Sequence, residues 1–437
     1  MPTIALESLG CKLNQAETEA LARQLAAAGY QVVAPGQPFL GKGQPADAYI
    51  LNTCTVTHLA DRKSRHLLRL AHRRHPRALV VATGCYAQRA PHEVAAIEGV
   101  GLVVGNTDKG CLLDLIIERL DGNRTPAPGG GQPSLRTRAL VKVQDGCPGR
   151  CAFCIVPQVR GQGRSRPRSR IIEEARARVA EGYRELVLTG TQLGYYGRGP
   201  ALSFSKGPSE GGSLQGLVER ILAETGVGRL RLSSLQPQDL RPGFIGLWRD
   251  KRLCRHLHLP LQSGSGEVLR RMRRPYSLAR YQQAVTAVRE AVPDAAITTD
   301  IIVGFPGESD AEFQESYRFC EGMGFAGIHV FPFSPRPGTE AAAMPGTVGD
   351  RVKRERSQRM LALARESARR FREQSLGRVV EVLWVGRLDG VWVGLTDNYL
   401  RVFAPSSEPL ANYILPARLL RVCQGGLLGQ LATTKVE

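Results

Sequence analysis

The chain has no apolar run long enough to cross a bilayer, and its start, Met-Pro-Thr-Ile-Ala-Leu-Glu-Ser, lacks the basic and apolar regions of a secretory signal. These absences argue against a helical membrane protein or an exported one and predict a cytoplasmic chain, in a compartment that keeps thiols reduced. Negative charge is also scarce: 40 acidic residues face 59 Lys plus Arg, leaving a formal net charge of +19 and a pI near 9.9. A polyanionic partner explains that balance economically, although charge alone does not separate tRNA from ribosome, other nucleic acid or a merely basic surface. What remains is the composition of a soluble globular protein, 42% hydrophobic with mean hydropathy −0.19, and at 437 residues long enough for two or three domains with cores of their own. Ten cysteines in a reducing compartment point to metal ligation more than to disulfides.

Three of them, Cys147, Cys151 and Cys154, fall within the loop Asp145-Gly-Cys-Pro-Gly-Arg-Cys-Ala-Phe-Cys154. The spacing is too compact for a four-ligand zinc site, and no fourth Cys or His follows at the usual interval. Three thiolates on an iron–sulfur cluster fit better, leaving one iron open to an outside chelator; three buried or disulfide-bonded cysteines are the bland alternative. The loop resembles that of the radical S-adenosylmethionine enzymes. There the chelator is the amino and carboxylate end of the cofactor, which the cluster's electron splits to a deoxyadenosyl radical. The resemblance places Phe153 beside the adenine.

Residues 1 to 124 alternate β-rich runs (Thr3 to Leu9, Ala48 to Val56, Ala78 to Thr83, Gly101 to Val104) with helices from Asn14 to Ala28 and Leu59 to His75, which predicts an open α/β sheet of parallel strands. Cys11, Cys54 and Cys85 each follow a strand, so the shared carboxyl edge of such a sheet would bring three sequence-distant thiols together. Gly10 and Gly84 would let the backbone turn there. A second three-thiolate cluster is the expectation; small core cysteines are the alternative. With the later trio, these phrases resemble the amino-terminal domain of the methylthiotransferases, radical enzymes that carry an auxiliary 4Fe–4S cluster as well as the radical-generating one.

The Pro/Gly-rich stretch 125–138 reads as a linker. From 139 to 374 the strand–helix rhythm returns, with strands expected at Leu140 to Gln144, Glu185 to Thr189, Leu230 to Ser233, His256 to Leu261, Ala296 to Gly304 and Gly327 to Phe333. Ser309 to Glu312 is a capping box opening a helix to about Gly322. Six β/α units predict an incomplete barrel with its chemistry on the loops after the strands. Gly190, Thr191, Ser233, Gln262 and Gly304 recur on those loops and are candidates to line a nucleoside pocket, a role that the resemblance supports. One departure is Gln236, where relatives usually carry Glu. The Gly/Ser/Pro-rich stretch 197–216 reads as a surface insertion without chemistry, and Cys111, Cys254, Cys320 and Cys423 as structural thiols. No side chain is nominated as a general acid or base.

Basic residues cluster after Cys54 (Arg62, Lys63, Arg65 and on to Arg77), after Cys154 (Arg160, Arg164, Arg166, Arg168, Arg170) and in a helix expected over Asp350 to Glu373. The first two flank the thiol loops, so a phosphate backbone lying across them would be led to the chemistry. Residues 375 to 437 carry short β-rich runs with turns between them and read as a small β-barrel. Its Thr396-Asp-Asn-Tyr-Leu-Arg-Val402 resembles the RNA-binding TRAM domain appended to the methylthiotransferases, in which Tyr399 and Arg401 would stack on or pair with RNA.

The resemblance therefore spans nearly the whole chain. Gly10-Cys-Lys-Leu-Asn-Gln15, the segment Asn52 to Lys63 and Gln144-Asp-Gly-Cys147 look most like the branch that acts on threonylcarbamoyladenosine in tRNA. The branches acting on isopentenyladenosine in tRNA and on a ribosomal-protein aspartate are the alternatives, and a cluster-containing RNA-binding protein without turnover is an alternative of another class. By resemblance the cofactors are two 4Fe–4S clusters and S-adenosylmethionine. The partners are tRNA and an electron donor such as flavodoxin or ferredoxin, and the chain acts as a monomer.

Overall fold

A computed structural model describes residues 2–33, 46–121, 137–198 and 212–432. Within the first two stretches β1 (Thr3–Ser8), β2 (Gln31–Val33), β3 (Ala48–Thr53), β4 (Leu79–Gly84) and β5 (Val100–Val104) form an all-parallel sheet in the order β2-β1-β3-β4-β5. Its central strands β3 and β4 are buried on both faces, as their apolar runs demand, while the edge strands β2 and β5 are partly exposed. Helices α1 (Lys12–Ala27) and α2 (His58–Arg74) cover opposite faces with separate apolar cores. The strand order reverses between β1 and β3, and the carboxyl ends flanking that switch point lead into Cys11 and Cys54. Strand β2 went unanticipated because three residues carry too little periodicity.

The central region has β6 (Arg138–Lys142), a two-residue ribbon of β7 (Gln144–Asp145) with β8 (Arg164–Ser165), and then β9 (Glu185–Thr189), β10 (Arg229–Leu232), β11 (His256–His258), β12 (Ala296–Val303) and β13 (Gly327–Pro332). Parallel pairing gives the orders β6-β9-β10 and β11-β12-β13, and bridges at Leu230–Leu253 and Ser234–His258 join the halves into six curved strands. The expected incomplete barrel is thus present. The first strand, expected over Leu140 to Gln144, instead covers Arg138–Lys142, because Gln144–Asp145 turn away to pair with β8. The capping box at Ser309 and Glu312 forms as expected and opens the helix Asp310–Met323.

On the open side, α1 runs along β6 and packs Ala16 against Leu140 and Val187, while the helix Asp350–Glu373 runs along β13. Two neighbours thereby wall what the six strands leave open. The last five strands, β14 (Val379–Leu388), β15 (Val391–Thr396), β16 (Arg401–Ala404), β17 (Ile414–Cys423) and β18 (Gly426–Leu431), close into a barrel around Trp384. It docks at the amino ends of β10 and β11. Arg229 donates to the Leu395 and Glu381 carbonyls at 3.0 and 2.9 Å, Arg231 to the Asp397 carbonyl at 2.9 Å, and Arg255 pairs with the Asp397 carboxylate at 2.6 Å. The 125–138 stretch, apart from Thr137 and Arg138, and most of 197–216 lie outside the described residues; Arg138 already begins β6. Among the described residues no helix is long and apolar enough to cross a membrane.

Candidate functional site

The lumen of the six strands holds a cavity of about 690 Å³ walled by all three regions. Cys11, Lys12, Cys54 and Cys85 come from the first sheet, Thr189 to Thr191, Ser233, His256, His258, Thr298, Asp300 and His329 from the strands and their loops, and Asn398 to Leu400 from the carboxyl-terminal barrel.

The three amino-terminal thiols converge at its mouth. Cys11 is the cap residue of α1, Cys54 follows β3, and Cys85 opens a short helix, α3 (Cys85–Arg89). Gly10, at φ +93°, lies so close that a Cβ there would sit 2.6 Å from the Cys54 Sγ. Gly84, at φ +96°, has Asn52 Oδ1 where a Cβ would stand. Both glycines are therefore required by close approach as well as by the left-handed turn. Burial first, with the charges of Cys11 and Cys85 adding to it, pushes the Cys54 thiol up to about 12. A buried sulfur in that state becomes a thiolate once a cation shares its charge.

The second trio lies across the segment that follows it. Cys147 Sγ is 3.1 Å from Gln192 Oε1 and receives the Gly149 N–H at 3.3 Å, and Arg274 donates to Cys151 Sγ at 3.1 Å. Burial pushes Cys154 up to about 12 and raises Cys147. Ile155 and Val159, just beyond Cys154, pack on Cys85, and Asn106 donates both to Cys85 Sγ at 3.5 Å and to the Val159 carbonyl at 2.8 Å. The two trios are thus held against one shared segment. Among the described residues the three-ligand group drawn within 4.8 Å is His258, Asp300 and His329, not either cysteine trio. Thiolates on a single zinc would stand about 3.8 Å apart, so the wider cysteine spacing suits a polynuclear cluster.

Of the expected nucleoside contacts, Gly190, Thr191 and Ser233 line the cavity. The Thr191 and Ser233 hydroxyls are buried without a protein partner, which fits groups awaiting a polar ligand. Phe153, Gln262 and Gly304 lie off the lining. Phe153 packs with Val268, Met272 and Phe305; Gln262, at φ +75°, donates its N–H to the Asp300 carbonyl; and Gly304 makes room for Lys353, whose Cγ would lie 2.3 Å from a Cβ. Gln236 accepts from Arg274 at 2.6 Å, and through that arginine it reaches Cys151.

The expected RNA contacts divide. Arg62, Arg164 and Arg401 are exposed, Arg65 is held at the Tyr86 hydroxyl at 2.9 Å, and Arg166 pairs with Glu174 at 2.6 Å. Arg160 is a correction. Its side chain is 2% exposed, with Nη1 on Glu17 at 3.0 Å and Asp145 at 2.8 Å and Nη2 on Asn14 at 2.5 Å, so it joins α1 to the radical-type loop instead of meeting phosphate. Lys109 and Lys142 also reach Glu17, each at 2.6 Å. Burial alone would raise Glu17, but Lys109, Lys142 and Arg160 outweigh it and hold the carboxyl well below its usual range. Tyr399 is the second correction. Its ring stacks on His256 with centroids 4.7 Å apart and lies under the Arg231 and Arg138 guanidinium groups, inside the lumen and not on the outer face of the barrel.

Sequence reasoning missed the polar lining of the lumen. His258 bonds Thr298 at 3.0 Å and Asp300 at 3.3 Å, and His329 packs edge-on to His258. Burial, chiefly, lowers His329 and takes His256 well below its ordinary value, so both imidazoles are neutral near pH 7. The signal was available in β12, where Thr298 and Asp300 alternate with the buried Ile297, Thr299 and Ile301. Lys12, placed by sequence only within the Gly10–Gln15 phrase and ahead of the expected helix, is the first residue of α1. Burial chiefly lowers its pKa, with Arg231 and Arg138 adding to the effect.

The model of the radical SAM superfamily matches residues 141–320, and that of the uncharacterized protein family UPF0004 matches residues 3–105. The chain is 38% identical to the threonylcarbamoyladenosine tRNA methylthiotransferase of Bacillus subtilis (strain 168), over 96% of this chain and 94% of that one. It is 36% identical to the Thermotoga maritima protein of the same description, over 92% and 91%. A tRNA-2-methylthio-N(6)-dimethylallyladenosine synthase from Novosphingobium aromaticivorans is 33% identical over 98% and 97%. In fold, the chain resembles a radical S-adenosylmethionine methyltransferase from Kitasatospora setae, with TM-score 0.55 and 15% identity over 78% of this chain and 75% of that one.

Proposed function

The chain belongs to the tRNA methylthiotransferase family of radical S-adenosylmethionine enzymes, and from that premise we propose that it adds a methylthio group to carbon 2 of N6-threonylcarbamoyladenosine next to the anticodon. That ring carbon has neither an acidic proton nor a leaving group, so acid–base side chains alone cannot functionalise it. The observation that carries the reading is the gathering of Cys11, Cys54 and Cys85 on the lumen wall, across the Ile155–Val159 segment from Cys147, Cys151 and Cys154.

Cys147, Cys151 and Cys154 hold one 4Fe–4S cluster, and Cys11, Cys54 and Cys85 hold the second. When bound, the clusters and S-adenosylmethionine supply a deoxyadenosyl radical, a methyl group and a site for sulfur. The protein's own part is placement. Arg274 steadies the Cys151 sulfur, the Thr191 and Ser233 hydroxyls meet the cofactor or nucleoside, and Asn106 fixes Cys85 against the Val159 carbonyl. Arg62, Arg65, Arg164, Arg166 and Arg401 contribute to the surface that meets tRNA phosphates. A flavodoxin or ferredoxin delivers the electron, and the chain works as a cytoplasmic monomer. Residues 1–124, 139–374 and 375–437 serve as auxiliary-cluster, radical and RNA-binding units.

Mass analysis of tRNA nucleosides from a deletion strain tests the assignment. Loss of the methylthio-threonylcarbamoyladenosine signal, restored by the intact gene, is expected. An unchanged signal would defeat it, and loss of the isopentenyl derivative instead would move the chain to that branch.

A further inference from the structure

Lys12 is the first residue of α1, directly after Cys11, and its side chain runs into the lumen. Its ammonium has no acid of its own. Among the described residues no hydrogen bond or ion pair reaches Nζ, and its nearest charge-balancing contact is the Tyr399 ring, 5.7 Å from Nζ to the centroid. Of the acids lining or facing the lumen, Glu185 is paired with Arg231 at 2.7 Å, and Asp300 is bonded to His258 at 3.3 Å and makes no bond to Lys12. Around Lys12 stand Arg138, Arg231 and the neutral rings of His256 and His329. The first turn of α1 holds no acidic residue, and its cap side chain makes no hydrogen bond, so the helix start adds positive potential to the same wall. A buried cation with no acid bonded to it is stabilised by an anion placed beside it, and a ligand entering the lumen can bring that anion to Lys12.

The proposed substrate brings one. Its N6 substituent ends in a carboxylate, whereas an isopentenyl group carries no charge. Carbon 2 and carbon 6 of adenine flank the same ring nitrogen, so a grip on the N6 substituent beside Cys11 keeps carbon 2 near that trio. We propose that Lys12 binds the carboxylate of the threonylcarbamoyl group and thereby selects this substrate over one with an uncharged N6 substituent. The inference rests on the function proposed above and names the group that reads the substrate.

The test measures binding by the anaerobically reconstituted full chain to three synthetic anticodon stem-loops. One carries N6-threonylcarbamoyladenosine, one its threonine primary amide, and one isopentenyladenosine. The wild type should bind the acid about ten- to a hundred-fold tighter than the amide, the range expected of one charge-assisted hydrogen bond. Lys12→Met should bind both as weakly as the wild type binds the amide, and Lys12→Arg should restore the preference for the acid. Because Cys11 is adjacent, iron and sulfide content and the circular dichroism spectrum of each variant must match the wild type for the comparison to be made. If Lys12→Met keeps the full acid-over-amide preference, the Lys12 assignment is wrong while the function stands. If the wild type prefers the isopentenyladenosine stem-loop, the function assignment itself falls.

Discussion

Replacing Arg160 by Met would remove a guanidinium that bridges two regions and leave its partners where they are. Glu17 and Asp145 each lose a charge-assisted hydrogen bond, and Asn14 Oδ1 loses a donor at 2.5 Å. Losing one member of a buried ion pair costs about 3 to 5 kcal/mol. The lower end applies here, because Lys109 and Lys142 still face Glu17 at 2.6 Å and Lys142 still faces Asp145 at 2.7 Å. At about 1.4 kcal/mol per factor of ten, about 3 kcal/mol makes opening of this interface roughly a hundred-fold more frequent. Hydrogen exchange measures it directly: amides in the first turns of α1 and in β6 should lose protection by roughly that factor, while those of β14 to β18 should keep theirs. Arg160→Lys should recover only part, since the donors of an ammonium share one nitrogen and cannot span the acceptors that the guanidinium meets with two separate nitrogens. Unchanged protection in α1, or an equal loss in the distant barrel, would refute the idea that this arginine holds the interface.

Four further outcomes follow from the geometry. Gly10→Ala forces a Cβ into the Cys54 Sγ at 2.6 Å and should lower reconstituted iron from about eight to about four per chain; full loading would show that the turn can yield. Cys151→Ala should abolish deoxyadenosine release from S-adenosylmethionine, whereas Cys54→Ala should spare it and remove methylthio transfer; equal loss of both would contradict the division of labour between the trios. Gln236→Glu places a negative charge on Arg274, 3.1 Å from the Cys151 sulfur, so the midpoint potential of that cluster should become more negative in an EPR-monitored titration, and no shift would break the proposed link. Acidification should open the α1 interface. The Glu17 and Asp145 carboxyls are depressed in the fold, so their contribution is complete above the unfolded value near 4 and is lost as pH falls below it; exchange in α1 that accelerates already between pH 7 and pH 5 would contradict this assignment.

The meeting of Cys11, Cys54 and Cys85 on one cavity wall was legible because strand topology sets their positions. Strands whose ends share an edge announce where Cys11, Cys54 and Cys85 must meet, and the basic helix has the bounds expected of it, Asp350–Glu373. What sequence could not supply were pairings between residues far apart in the chain. Arg160 beside an iron–sulfur-type loop reads as a phosphate contact until the fold brings Glu17 to it from 143 positions away. Arg336, 1% exposed, likewise pairs at 2.6 Å with Asp61 of the first sheet domain. Tyr399 misled in the same way, because an aromatic on a turn of an RNA-binding-type barrel suggests a surface for bases, and only docking against β10 and β11 turns it inward. Gly304, expected to let the backbone approach a nucleoside, sits at φ +72° with Lys353 packed over it, a contact between residues 49 positions apart that sequence does not show.

The lumen wall is contributed by both extremities of the polypeptide, Lys12 near the start and Tyr399 near the finish. During synthesis the first sheet can therefore fold and gather its sulfurs long before the space they face has been enclosed. That space comes into being only when the closing barrel emerges from the ribosome and docks, so a truncated product would hold reactive sulfur yet have no chamber in which to use it.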